Sequence, residues 1–169
     1  GYIGDKPSDL TFHMFVDANF AGCPYTLRST SGCHTDIQGY NSRFPWGAAS
    51  NQQTSLAQST PEAELVSMNT GLKTRGEPAL EIFEATMQQY HEEGWKVSIN
   101  VHEDNSAAVS AVKSGKNPTM KTLERGHGVS IGWLHERAEQ GDYVIVPTRS
   151  EDMSADIYTK SIMDAKTWN

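Results

Sequence analysis

The chain has 169 residues, 21% of them charged and 37% hydrophobic, which suits one domain spanning residues 1–169 with a sizeable core. No apolar run approaches the length of a membrane span, and Gly1 to Pro7 lacks the basic-then-apolar layout of a secretory signal, so neither a membrane partner nor secretion is expected. Two cysteines, Cys23 and Cys33, are too few for a disulfide framework and read as free thiols of a reducing compartment, and a net charge of -7 argues against a general nucleic-acid binder.

Residues 11–16 (Thr-Phe-His-Met-Phe-Val) are rich in strand formers and end at Asp17. A turn-rich stretch with Gly22 and Pro24 follows. Residues 32–37 and 42–48 predict two further strands joined by Gly39-Tyr40-Asn41, which makes an antiparallel meander. Ser59-Thr60-Pro61-Glu62 is a helix start, with hydroxyl caps, proline in the first turn and acids facing the helix N-terminus. This helix is expected to bury Ala63, Leu65, Val66, Met68 and Leu72 and to break at Gly76 and Pro78. A second helix is expected over 79–91. Residues 95–102 alternate as a strand does, with Val97, Ile99 and Val101 on one face, and end at Glu103-Asp104. Residues 105–112 predict a short helix closed by Ser114-Gly115, 129–140 a helix stopped by Gly141, 143–146 a strand, and 153–161 a last helix. Trp46 and Trp133 fall in alternating or amphipathic apolar patterns and are expected in the core. A meander followed by alternating units implies an α/β fold with a mixed sheet flanked by helices.

Four short acidic stretches stand out: Phe15-Val16-Asp17-Ala18, Glu62-Ala63-Glu64-Leu65, Glu103-Asp104-Asn105-Ser106 and Ser154-Ala155-Asp156-Ile157. Three of the four set a carboxylate at the end of a strand-like run or inside a helix-like run, beside small or apolar residues, and carboxylates are rarely placed so without a partner. Asp17 and Asp104 close strands, while Glu64 and Asp156 lie near helix starts, where sites form in such sheets. Four such acids predict one cluster around a hard divalent cation, hence metal-assisted phosphoryl chemistry on nucleic acid. The segment from Lys113 to Arg125 carries Lys113, Lys116, Lys121 and Arg125 against Glu124 alone, the densest positive run in the chain.

The same stretches resemble, in order and along nearly the whole length, the ribonuclease H domain of copia-like LTR retrotransposons. The matching pieces are Phe15-Val16-Asp17-Ala18-Asn19-Phe20-Ala21-Gly22-Cys23, Arg28-Ser29-Thr30-Ser31-Gly32, Ser59-Thr60-Pro61-Glu62-Ala63-Glu64-Leu65, Glu103-Asp104-Asn105-Ser106-Ala107-Ala108 and Ala155-Asp156-Ile157-Tyr158-Thr159-Lys160. The resemblance implies an RNase H-like fold, a five-stranded mixed sheet with an antiparallel meander and then parallel strands. It also implies a tetrad of Asp17, Glu64, Asp104 and Asp156 that binds two Mg2+ ions, with Mn2+ able to substitute, and hydrolyses the RNA strand of an RNA–DNA hybrid. Asp17 would bridge both ions, Glu64 and Asp104 would hold the one near the attacking water, and Asp156 would complete the leaving-group side. Glu62 is then a first-turn acid favoured by the helix dipole, and Glu103 an exposed neighbour.

Substrate contacts are expected from Asn19, Arg28, Ser29, Thr30 and Asn105, which flank the tetrad and carry donors for phosphate and 2′-hydroxyl groups. Lys113, Lys116, Lys121 and Arg125 are expected on the DNA strand, and His127, which resembles a histidine of the copia-like pattern, on a phosphate. Cellular ribonucleases H of the first type place a mobile histidine before the last catalytic acid. Here that loop is Thr148-Arg149-Ser150-Glu151-Asp152, so its role would fall to Glu151 or to water. The chain reads as a cut from a retroelement polyprotein, with a reverse transcriptase domain as partner and an intracellular location in a cytoplasmic particle or the nucleus. The alternatives are a domesticated module of this fold without catalysis, and a nuclease of the same fold acting on DNA.

Overall fold

A computed structural model of the chain describes residues 1–92, 95–120 and 123–160. Five strands form one sheet in the order β3-β2-β1-β4-β5, from β1 (Thr11–Asn19), β2 (Thr30–Gly39), β3 (Ser42–Gln52), β4 (Ile99–Glu103) and β5 (Tyr143–Pro147). The first three pair antiparallel, while β4 lies parallel to both β1 and β5. This is the mixed sheet expected from the sequence.

Helix α1 (Thr60–Gly71) starts as its sequence dictates: the Ser59 hydroxyl accepts from the Glu62 N–H, and Pro61 sits in the first turn. The expected break at Gly76 and Pro78 does not occur. Residues Leu72–Gly76 form one π-helical turn, and α2 (Glu77–Met87) continues directly from it. Pro78 has no N–H to donate and its ring crowds the carbonyl four residues back; the wider turn, closed by Glu77 N–H to Leu72 O, absorbs both defects. Helix α3 (Ser106–Ser114) is capped by Asn105 and ends on Gly115, whose φ of 69° is the left-handed conformation that glycine adopts freely. A short α4 (Leu123–His127) and then α5 (Ile131–Glu139) follow. Met153 to Lys160 forms no α-helix; a single 3-10 turn spans Asp156–Tyr158, and the rest of the expected last helix, from Ser161, lies outside the described residues.

The helices cover one face of the sheet. Phe12, Met14 and Val16 of β1 pack with Ile99 and Val101 of β4 and with Leu65, Met68 and Leu72 from the helical side, all of them buried. Trp133 packs against this core, but Trp46 is 38% exposed on β3, where it makes a T-shaped contact with Phe12, so the core assignment fails for it. The opposite face carries Phe15, buried with Met153 and Ala155, and a polar row. His13 and His102 share a 2.8 Å hydrogen bond, and His102 reaches Thr148 at 2.7 Å. Burial, and then the neighbouring His13, push His102 down to about 4, so the row is neutral at physiological pH.

Two features fix the end of the sheet. Pairing of Phe15 with His102 across the parallel β1–β4 ladder sets Asp17 and Asp104, each two residues further on, level with each other. Gly32, opposite Asp17 on β2, lies under the 155–159 segment so closely that a Cβ there would stand 2.5 Å from Thr159 Cγ2 and 2.9 Å from the Ala155 carbonyl oxygen. Gly32→Ala is therefore expected to lift that segment and cost about 1–3 kcal/mol. On a chain of this size that lowers Tm by roughly 2–4 °C per kcal/mol, which a thermal melt followed by circular dichroism measures.

Candidate active site

The parallel pairing of β1 and β4 and the crossing of α1 over β1 bring three of the predicted acids together. One carboxylate oxygen each from Asp17, Glu64 and Asp104 lies within 4.8 Å of the others. The Ser67 hydroxyl, one turn beyond Glu64, holds α1 in place by donating to Asp17 O at 2.8 Å and Gly32 O at 3.2 Å. Asp156 joins from the last 3-10 turn through Lys160, whose Nζ stands 2.7 Å from Asp156 Oδ1 and 3.5 Å from Asp17 Oδ1. The Thr159 hydroxyl donates to the other oxygen of Asp17.

Burial dominates the electrostatics. Asp17 and Glu64 are 2% and 3% exposed. Desolvation raises the Glu64 carboxyl far above the usual carboxylate range, and the charges of Glu103, Asp17 and Asp104 add to it. Desolvation also raises Asp17, against the opposing effects of the Thr159 hydrogen bond and the Lys160 charge. Glu64 Oε2 is buried and accepts no hydrogen bond among the described residues. An all-oxygen donor set with one unpartnered buried oxygen fits a hard divalent cation, which supplies the charge that these carboxylates lack.

Glu103 corrects the sequence reading. It is fully buried, not exposed, because it continues the inward face of Ile99 and Val101 on β4. Its Oε1 accepts from the Asn105 N–H at 3.0 Å, while Oε2 has no partner among the described residues. Desolvation raises its carboxyl too. Glu62 is also buried, its Oε2 accepting from Gln58 N–H at 3.0 Å and its Oε1 lying 3.4 Å from His127 Nε2.

The expected substrate contacts divide. Arg28 is exposed, Thr30 is half-buried at the start of β2, and Asn19 at the end of β1 donates to Thr159 O at 3.2 Å. Ser29 is completely buried, with its hydroxyl accepting from Ala21 N–H, so it holds the loop and cannot reach a substrate. Asn105 spends its carbonyl oxygen on the cap of α3, leaving only its amide hydrogens for a ligand. The His127 side chain is 3% exposed and sits between Glu62 and the Leu56 carbonyl, so the expected phosphate contact gives way to a clamp between α4 and the start of α1. Lys113, Lys116 and Arg125 are exposed; Lys121 lies outside the described residues. Lys113 lines a groove of about 470 Å³ beside Asp104, together with Ser106, Ser110 and Ser114 of α3.

Sequence reasoning also missed Ser150. It donates to Asp104 Oδ2 at 2.5 Å from the loop that lacks a histidine, whereas Glu151 pairs with Arg149. A serine in a charged loop gives no sequence signal of such a contact; only the return of β5 alongside β4 creates it.

Neither protein-family models nor curated proteins match the chain. Among solved structures, it is similar to LC11-RNase H1, isolated from compost by a metagenomic approach, at 14% identity over 88% of this chain and 92% of that one, with a TM-score of 0.53. The N-terminal RNase H domain of rv2228c from Mycobacterium tuberculosis aligns over 89% of this chain and 91% of that one at 13% identity and a TM-score of 0.49. The first likeness, with the strand order and pairing above, shows the RNase H-like fold.

A carboxyl whose folded pKa is raised stabilises the fold less as pH climbs from the ordinary carboxylate range toward that raised value, because the unfolded chain loses its proton first. In chelator, Glu103→Gln is thus expected to raise Tm by a few degrees at pH 8. The gain should shrink at pH 5, where Glu103 itself is neutral. Scanning calorimetry at the two pH values checks this; an equal effect at both would assign the change to packing instead.

Proposed function

We propose that this chain is a metal-dependent endoribonuclease that hydrolyses the RNA strand of an RNA–DNA hybrid, and that it derives from the polyprotein of a copia-like LTR retroelement. The observation that carries the activity is the meeting of Asp17, Glu64 and Asp104, from three distant motifs, at one end of the sheet of an RNase H-like fold. The retroelement origin rests on the five ordered motifs of the sequence. It brings with it a reverse transcriptase domain as partner and an intracellular setting.

Asp17, Glu64 and Asp104 would hold one Mg2+ ion, and Asp17 with Asp156 a second. Bound there, the ions supply nucleophile activation and leaving-group stabilisation for an in-line displacement at phosphorus. The chain's own groups arrange this. Thr159 orients the Asp17 carboxylate and Ser150 orients that of Asp104. The groove beside Asp104, with its α3 hydroxyls and Lys113, lies where a sugar–phosphate backbone would leave the scissile position. Lys116 and Arg125 are exposed and offer further positive charge.

With Mg2+, the protein is expected to cut the RNA of a hybrid and to leave duplex DNA and duplex RNA intact. Asp104→Asn should lower the rate by more than about 100-fold, beyond the range for outer-shell partners of a metal, while leaving the fold intact or firmer in chelator. Cleavage of duplex DNA instead would turn the reading to a DNA nuclease, and binding without cleavage to a non-catalytic module. Replacing Lys113, Lys116 and Arg125 with Ala should raise KM and flatten the salt dependence, by about 0.9 in log–log slope for each duplex phosphate that the protein no longer neutralises. kcat should change less, since none of the three is a metal ligand in this reading; an unchanged salt slope would place the hybrid elsewhere.

A further inference from the structure

The acid cluster already contains a cation of its own. Lys160 Nζ sits between Asp156 Oδ1 and Asp17 Oδ1, at 2.7 and 3.5 Å. The charge of Asp104 acts on it as well, and its own charge reaches Glu64, so all four acids draw on one ammonium. The position is built rather than incidental. Lys160 donates its N–H to the Asp156 carbonyl at 2.9 Å, the Tyr158 carbonyl accepts from the Ser50 hydroxyl at 2.6 Å, and the Thr159 carbonyl accepts from Asn19. Strands β1 and β3 thus both grip the turn that presents the ammonium. Its side chain is 44% exposed, which leaves it a route out to water.

The two sides of the cluster differ in this respect. On the Asp17–Glu64–Asp104 side, a buried oxygen of Glu64 has no partner among the described residues, and added positive charge meets an unanswered demand. On the Asp17–Asp156 side the demand is met by Lys160. A divalent cation entering there must expel the ammonium or share two carboxylate oxygens with it at contact distance, where like charges repel.

We propose that Lys160 is the resident counter-cation of the Asp17–Asp156 side, and that a divalent cation binds on that side only in competition with its ammonium. The inference rests on the metal-dependent reading above and deepens it. The Glu64 side fills first, and the second cation is weakly held until something draws Lys160 away. A substrate phosphate is the natural agent, since it offers the ammonium another anion while adding ligands for the cation. Lys160 is therefore a positioning residue that sets the order of metal loading.

The test is Mn2+ binding to the protein without substrate, read by the electron paramagnetic resonance of free Mn2+ and by calorimetry. Wild type is expected to bind one ion well and a second weakly. Lys160→Met, which keeps the length and removes the charge, should tighten the second ion by about tenfold or more, the scale for removing one charge at contact distance in a partly solvated site. Lys160→Gln should do the same if the Met variant folds poorly, and Lys160→Arg should behave as wild type. Binding by Lys160→Met or Lys160→Gln that matches wild type, or is weaker, overturns the proposal. Asp17→Asn separates the two readings. If it binds Mn2+ as wild type does, the metal centre itself is wrong; if it loses Mn2+ while Lys160→Met matches wild type, only the role of Lys160 falls.

Discussion

Carboxylates held out of water at one end of the sheet are the constraint around which this structure is arranged. Asp17, Glu64 and Glu103 are each at most 3% exposed, and each belongs to a different element. Removing a charged carboxylate from water costs several kcal/mol even after relaxation, so each must be answered by hydrogen bonds, opposite charge or a proton. Thr159 and Lys160 answer Asp17, the Asn105 N–H answers half of Glu103, and Ser150 answers the partly exposed Asp104. One oxygen of Glu64 and one of Glu103 remain without partners among the described residues. Selection for stability alone would replace such groups with apolar side chains of similar size. Their presence in this chain is what a cation-binding role accounts for.

The face of the sheet away from the helices shows what buried polarity looks like when it serves the fold. There Thr11, His13, His102 and Thr148 form a hydrogen-bonded row in which both nitrogens of each imidazole are engaged. Burial keeps the histidines neutral, and the row has no unmet charge to offer a ligand. The contrast separates a site from a structural network by satisfaction rather than by residue type. It also shows how the site depends on remote packing. Gly32 has no side chain so that the 155–159 segment can lie on β2, and Ser67 pins α1 to β1 and β2. Either position could shift an acid without being one.

The strands were legible in part: the strand formers of residues 11–16 lie in β1, with Phe12, Met14 and Val16 facing the helices, but of the strand expected over 95–102 only the part from Ile99 forms, as β4. The meeting of Asp17 with Asp104 was legible only in outline, since it needs the parallel β1–β4 register, which no local pattern encodes. Glu103 is the instructive miss. The alternation that placed Ile99 and Val101 inward extends to residue 103, and taking its acidic type over its position gave exposure instead of burial. Gly76 and Pro78 carry strong breaker signals, yet a π turn lets the helix pass, because packing of Leu72, Ala79 and Phe83 on the core rewards continuation. Ser29 and His127 offered donors in the sequence, but tertiary contacts had already claimed them. The 3-10 turn in place of a last α-helix up to Lys160 follows from the tight approach over Gly32 and β3.

A net charge of -7 conflicts with a polyanionic substrate only while the acids are counted as surface charge. Four of the acids, Asp17, Glu64, Asp104 and Asp156, lie at or beside one cluster, where two divalent cations would cancel four charges. Without cations, the same cluster sets negative charge beside the groove that Lys113 lines, and phosphates approaching it are repelled at close range. Charge complementarity in this chain is therefore conditional. On the function proposed, the basic side chains of Lys113, Lys116 and Arg125 would attract a nucleic acid at any time, and each cation held by the acids would favour entry of the scissile phosphate. On this reading metal loading and substrate binding are one linked equilibrium: each phosphate oxygen added to the site raises its affinity for cations, and each cation raises its affinity for phosphate by the same factor.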